Sequence, residues 1–193
     1  MWLPDKAVLL AVLAAFCAGA FLATATGTGP SAATGLAIFQ QPGLHCVNGS
    51  IQAIISPPAE KQMTAAVSSA RQTLDVMLFQ FSSSAMKEAV ANALGNGARV
   101  RMILEPRVDA NLETARFLKE KGAEVRWATT DFAYTHAKLA IIDGTKVLVG
   151  SINWSKNALT ANREAEILVD DSALAKEFMV VFEKDWAEAT PVK

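Results

Sequence analysis

Metal-ligating side chains are scarce in this chain of 193 residues. It has two cysteines, Cys17 and Cys46, and two histidines, His45 and His136. No Cys/His cluster has zinc-ligand spacing, so neither a metal nor another cofactor is expected. No disulfide framework is implied either. Cys17 sits inside an apolar run that is cleaved or buried in lipid, which leaves Cys46 without an intramolecular partner. Excess charge of one sign is also missing. Eighteen Lys and Arg against 19 Asp and Glu leave a net charge of −1. That excludes a protein whose main task is to coat nucleic acid, but not a local phosphate site. No internal repeat or low-complexity tract is present. The length allows one ordinary domain plus an extension, enough to bury a core without disulfides.

What is present begins with a long apolar stretch, Ala7 to Ala25, after Lys6. At 1.5 Å per residue it spans about 28 Å as a helix, close to a hydrocarbon core of ~30 Å. Two readings compete for residues 1–25. Length and the weakly charged flank favour a signal-anchor transmembrane helix, while Ala23-Thr24-Ala25 fits a signal-peptidase site. The protein is therefore expected to be exported. It is membrane-anchored and faces outside the cytoplasm, or is periplasmic or secreted if the signal is cleaved. Residues 26–50 are rich in Gly, Thr, Ser and Pro without sustained periodicity, and read as a linker.

From Ile51 to the C-terminus strands alternate with helices. Ile51–Ile55 reads as a strand. Ser56 is a candidate cap and Pro57 a first-turn residue for a helix to Gln72. Thr73–Phe81 reads as a strand, with Phe79 and Phe81 toward the core. Ser82 to Ser84 offer caps for a helix to Leu94, which Gly95-Asn96-Gly97 stops. A strand over Ala98–Leu104, a helix over Ala110–Lys121 and a strand over Ala123–Ala128 follow. His136–Asp143 and Val147–Gly150 pair across the turn from Asp143 to Lys146. A strand at Ala165–Val169 and a helix capped by Ser172 close the chain. The alternation predicts an α/β domain over residues 51–193, with a mixed, mainly parallel sheet and helices on both faces.

The chemistry concentrates between Tyr134 and Glu166. His136 and Lys138 are two apart on an expected strand and so share a face. Ser151 and Asn153 share a face likewise, and Gly150 permits close backbone approach. One patch thus gathers an imidazole, an ammonium, a hydroxyl and a carboxamide: a nucleophile or base with three phosphate-oxygen donors. Glu164, two residues after Asn162, can reach the same edge. Over Ala133 to Arg163, Lys138, Lys146, Lys156 and Arg163 against Asp143 alone make the local balance positive. Trp154 reads as a buried aromatic, and Trp127, Phe132 and Tyr134 as residues of the cleft mouth.

These residues resemble the motif of the phospholipase D superfamily, His-x-Lys-x4-Asp-x6-Gly-Ser-x-Asn. His136, Lys138, Asp143, Gly150, Ser151 and Asn153 match it with every spacing kept, and Asn162 and Glu164 match the family's downstream Asn-x-Glu. The resemblance runs from about Ile51 to Trp186. It implies a phospholipase D-like sandwich and a metal-independent phosphodiesterase. His136 would be the nucleophile that forms a phosphohistidine, and Glu164 the carboxylate holding its other ring N–H. Lys138, Ser151 and Asn153 would bind phosphate oxygens. Asp143, at the far end of its strand, and Gly150 would be structural. A single His-x-Lys motif implies a homodimer with the active site at its two-fold interface, each subunit supplying one His136. His45 lies outside any motif. Three functions follow in order of preference: a nuclease on DNA or RNA, a phospholipase D or cardiolipin-type hydrolase held beside lipid by the N-terminal segment, and a non-catalytic phosphate-binding module. The positive balance and the absence of an apolar insertion favour the first.

Overall fold

Backbone pairing in this protein gathers almost every motif residue at one end of a single sheet. The computed structural model describes residues 49–193. The apolar run, most of the linker, Cys17, Cys46 and His45 lie outside the described residues. Eight strands form the sheet: β1 (Ile51–Ser56), β2 (Thr73–Leu78), β3 (Arg99–Leu104), β4 (Glu124–Trp127), β5 (Lys138–Ile142), β6 (Lys146–Gly150), β7 (Glu164–Asp170) and β8 (Thr190–Pro191). Their order is β1-β7-β6-β5-β2-β3-β4-β8. The helices are α1 (Glu60–Ser68), α2 (Ser84–Gly95), α3 (Ala110–Glu120), α4 (Lys156–Thr160) and α5 (Ser172–Glu188). Among the described residues no helix is long and apolar enough to cross a membrane.

The α/β class, the mixed sheet and helices on both faces are as expected. The expectation of a mainly parallel sheet is corrected. Only β2–β3 and β3–β4 pair in parallel, and the other neighbours are antiparallel. Parallel neighbours need a crossover of a dozen or more residues. α2 and α3 provide one between β2, β3 and β4. The chain from β5 to β7 has only a tight turn and the five-residue α4, so successive strands reverse direction.

Alternation along the strands divides the core in two. Leu74, Val76, Leu78, Val100 and Met102 pack against Met63 and Val67 of α1, Met86 and Val90 of α2, and Ala115 and Leu118 of α3. Met77, Ile103, Leu139 and Ile141 face Ala175, Phe182 and Trp186 of α5. Each large side chain so buried contributes about 1.5–3 kcal/mol relative to exposure.

Two element boundaries move for traceable reasons. Ser56 does not cap α1. It ends β1, and its hydroxyl donates to the Ala158 carbonyl at 2.6 Å, so the helix starts at Glu60 with no side-chain cap. The same helix stops at Ser68 rather than Gln72. The backbone N–H groups of Arg71, Gln72 and Thr73 instead donate to the Asp143 carboxylate at 2.7 to 3.1 Å. Asp143 and Gly144 both have positive φ, 52° and 63°, as a hairpin turn matched to strand twist requires. Ser83 caps α2 by accepting from the Met86 N–H, within the expected serine cluster.

Candidate active site

The carboxyl ends of β1, β2, β3 and β6 and the amino ends of β5 and β7 meet at one sheet edge. His136 precedes β5 rather than lying within it. The irregular chain over 128–137 delivers it, and Phe79 N–H donates to the Ala137 carbonyl just after it at 2.9 Å. The imidazole is exposed. It lies against the Phe79 ring, 4.3 Å between centroids, so Phe79 is half-buried beside the site rather than a core residue like Phe81. Tyr134 meets Phe79 edge-on at 5.8 Å.

Lys138 is buried, with Nζ 3.0 Å from His136 Nδ1 and 3.4 Å from Nε2. It donates to the His136 carbonyl at 2.9 Å, and the Phe79 ring lies 5.0 Å away. Burial pushes the ammonium below its usual range, while nearby Glu164 and Glu166 oppose that shift. An ammonium has three donors. The carbonyl and the ring use two, which leaves one for an incoming oxygen.

Gly150 ends β6 where no side chain fits. A Cβ there would fall 2.4 Å from the Ala165 carbonyl oxygen and 2.6 Å from Glu166 Oε2. Ser151 N–H donates to that same carbonyl at 2.8 Å, and its hydroxyl donates to Glu164 Oε2 at 2.5 Å. Asn162 Nδ2 donates to Glu164 Oε1 at 3.2 Å. Glu164 therefore has partners other than the expected ring N–H of His136. β6 lies between β7 and β5, so two strand spacings of about 4.8 Å separate the backbones, and Ser151, just past the end of the intervening strand, takes the carboxylate.

Asn153 has a buried Oδ1 without a hydrogen-bond partner. It lines an open recess with Gln80, Ser82, Lys156, Asn157 and Asn162, where Ala158 is the apolar component. Trp154 is buried and meets Phe81 edge-on at 5.0 Å. Arg163 donates to the Ser56 carbonyl at 3.4 Å. Lys146 is not at the site. It begins β6 at the opposite end and pairs with Asp170 at 3.7 Å. Asp143 is also at that far end, holding the turn before β2. Burial would raise its pKa, but the hydrogen bonds from Gln72, Arg71 and Thr73 outweigh that and lower it.

Three buried polar residues near the site escaped sequence reading. Glu166 sits beneath the motif, and Ile152 N–H donates to its Oε2 at 3.0 Å. Burial raises its pKa to about 8, against the opposing pull of the Ile152 N–H and Lys138. Glu105 follows β3 and accepts from the Thr135 N–H at 2.8 Å. Asn111 of α3 donates to the carbonyls of Phe79 and Glu105, both at 2.9 Å, and accepts from the Phe81 N–H at 2.8 Å. Only Glu166, an acid within an alternating strand, left a trace in the sequence. Among the described residues no group of three or more His, Cys, Asp or Glu side chains is arranged to hold a metal ion.

A layered α/β fold with a histidine–lysine pair and a Gly-Ser-x-Asn turn at one sheet end defines a class of phosphate-handling proteins. The chain belongs to the phospholipase D superfamily. Residues 63–186 match the family model described as cardiolipin synthase, PLD-like domain. A mitochondrial cardiolipin hydrolase of Mus musculus is 35% identical over 129 residues, 66% of this chain and 58% of that protein. The chain thus spans under two thirds of that relative's length. The crystal structure of Nuc from Salmonella typhimurium, a phospholipase D family member, aligns with a TM-score of 0.71 and 24% identity, covering 75% of this chain and 98% of Nuc. NucT from Helicobacter pylori aligns with a TM-score of 0.64 and 20% identity, over 74% of this chain and 99% of NucT.

Proposed function

We propose that this chain is a phosphodiesterase that cleaves nucleic acid through a phosphohistidine at His136. The observation that carries the chemistry is the contact between buried Lys138 and the exposed His136 ring. A ring nitrogen attacks phosphorus. An N–P bond forms, the P–O bond to the leaving group breaks, and the leaving oxygen takes a proton. Water then attacks phosphorus and gives its proton to the group that protonated the leaving oxygen, the N–P bond breaks, and the phosphomonoester departs. Lys138 and Asn153 bind the non-bridging oxygens and offset the charge that develops there. Glu164, held by Ser151 and Asn162, favours the charged form of Lys138. Because the nucleophile is a side chain, no metal-activated water is required.

Nucleic acid is favoured by the recess beside Asn153. Its wall of amides, hydroxyls and an ammonium suits sugar, base edge and phosphate, not acyl chains. The similarity to cardiolipin hydrolases favours a second reading, lipid phosphodiester hydrolysis. The leaving oxygen needs an acid, and His136 is the one histidine among the described residues. A second copy supplies it. An uncovered apolar strip fits such a copy: Ile51 and Ile55 of β1 and Ile167 of β7 are exposed on one sheet face. The strip ends at the Ile55–Ala165 pair, one residue short of the motif end of β7. The proposed organisation keeps residues 1–25 as export signal or membrane anchor and 26–50 as linker before the catalytic domain.

The test uses single-stranded DNA, RNA and cardiolipin vesicles in parallel, in EDTA, with His136→Ala as control. Nucleic-acid cleavage that persists in EDTA and vanishes in the variant is expected. Lipid hydrolysis with untouched nucleic acid would establish the second reading. Activity near wild type in His136→Ala would remove the mechanism.

A further inference from the structure

The chain that carries His136 has no helix or strand of its own. Residues 128–137 cross from β4 to β5 without regular structure, yet a nucleophile must be held to within a fraction of an ångström of its reacting geometry. On its C-terminal side His136 is held by the Phe79–Ala137 hydrogen bond. On its N-terminal side the anchor comes from the residues just after β3. Glu105 is fully buried, and an unpaired carboxylate there would be heavily penalised. All of its acceptor capacity in view goes to two residues. Oε2 takes the Thr135 N–H at 2.8 Å and Arg107 Nη2 at 3.0 Å. Oε1 takes the Arg107 N–H at 3.0 Å and Arg107 Nε.

Arg107 extends the hold. Both terminal nitrogens donate to the Phe132 carbonyl at 3.3 Å, and the guanidinium lies 4.7 Å over the Tyr134 ring. Tyr134 in turn abuts Phe79, the ring against which His136 rests. The pair thus grips Phe132, Tyr134 and Thr135, the three residues nearest His136 on that side apart from Ala133. Neither touches the histidine.

We infer that Glu105 and Arg107 are positioning residues for His136, an ion pair that sets the place of the nucleophile through the backbone of Thr135 and Phe132. This rests on the reading of His136 as nucleophile. The planar, bidentate guanidinium is suited to the task, because it fixes direction as well as distance.

The test uses the full chain with bis(p-nitrophenyl) phosphate, a small activated diester with no part to reach distant surfaces. Arg107→Ala is the main variant, because the side chain is partly exposed and its loss leaves Glu105 able to recruit water. Glu105→Gln is the second; it keeps an acceptor for Thr135 but drops the charge that orients Arg107. His136→Ala is the control. For Arg107→Ala, kcat and the rate of phosphohistidine formation are expected to fall roughly ten- to a hundredfold. KM should stay within about twofold, since ground-state binding is untouched. Added guanidinium ion should restore part of kcat, and Glu105→Gln should lose less than Arg107→Ala. Wild-type kcat in Arg107→Ala would overturn the inference. So would a rise in KM at constant kcat, which would make Arg107 a substrate contact, or a loss of kcat that merely tracks the folded fraction by circular dichroism. If the wild type forms no phosphohistidine that His136→Ala lacks, the functional reading itself falls and the pair's role with it.

Discussion

Glu166 has one carboxylate oxygen on the Ile152 N–H and the other buried without a partner. Burial dominates its electrostatics, with Lys138 opposing and Glu164 adding to the upward shift to about 8 from an ordinary 4.5. The folded protein therefore holds this proton where the unfolded chain releases it. Between those two values the native state binds more protons, so stability falls as pH rises through that window and levels off above it. Glu166→Gln keeps the acceptor for Ile152 and cannot ionise. Urea unfolding at pH 5 and pH 8.5 should show the variant gaining on wild type at the higher pH. An equal offset at both pH values would mean that Glu166 ionises normally in the folded protein. Lys138 would also find a new anion beneath it above pH 8, drawing its charge away from substrate.

At the scale of elements, α5 is joined to the sheet by charge as well as by apolar contact. Arg101 of β3 donates to Asp75 of β2 at 2.6 Å and to Glu183 of α5 at 2.7 Å. Its guanidinium lies 4.9 Å from the Phe182 ring and 5.4 Å from the Trp186 ring. Asp75 is buried with one oxygen unpaired, and burial raises its pKa against the pull of Arg101. Removing Arg101 strands that acid in the core. Arg101→Ala should cost about 3 kcal/mol of unfolding free energy, read from denaturant midpoints. A loss no larger than that of an ordinary surface substitution would show that Asp75 protonates at little expense. The motif end of the sheet lies elsewhere, so kcat of the folded fraction should be unchanged.

At the scale of the molecule, the described residues hold one imidazole, that of His136, which the proposed mechanism uses as nucleophile. Shared sites make activity depend on pairing. Mixing His136→Ala protein with wild type, with time for exchange, should lower activity below simple dilution if both subunits contribute. Strict proportionality to the wild-type subunits present would indicate independent sites. The apolar strip of Ile51, Ile55 and Ile167 gives a second handle on the proposed dimer: Ile55→Lys is expected to lower self-association in sedimentation and activity together, as a charge does at an interface core.

Local rules made much of this protein legible from its residues. The Asp143-Gly144 turn, the Ser83 cap and the strand–helix alternation rest on backbone preferences that act over a few residues, and each appears where expected. The spacing of His136, Lys138, Gly150, Ser151 and Asn153 was readable as a motif, but the strand period behind it was not realised throughout, because His136 precedes β5 and Ser151 and Asn153 follow β6. Strand direction was not readable, because it depends on which strands become neighbours, which no local pattern states. The boundaries of α1 were set by distant partners, Ala158 for Ser56 and Asp143 for the N–H groups after Ser68, which no local window contains. The partners of Glu164 were decided by β6 lying between it and His136. Glu105, Arg107 and Asn111 carry no motif, and their roles exist only because β3, α3 and the chain before β5 converge. The sequence by itself determined which chemical groups the protein has and which short segments present them. Tertiary structure alone decided which buried charges face one another, because desolvation and ion pairing depend on distances between segments far apart in the chain.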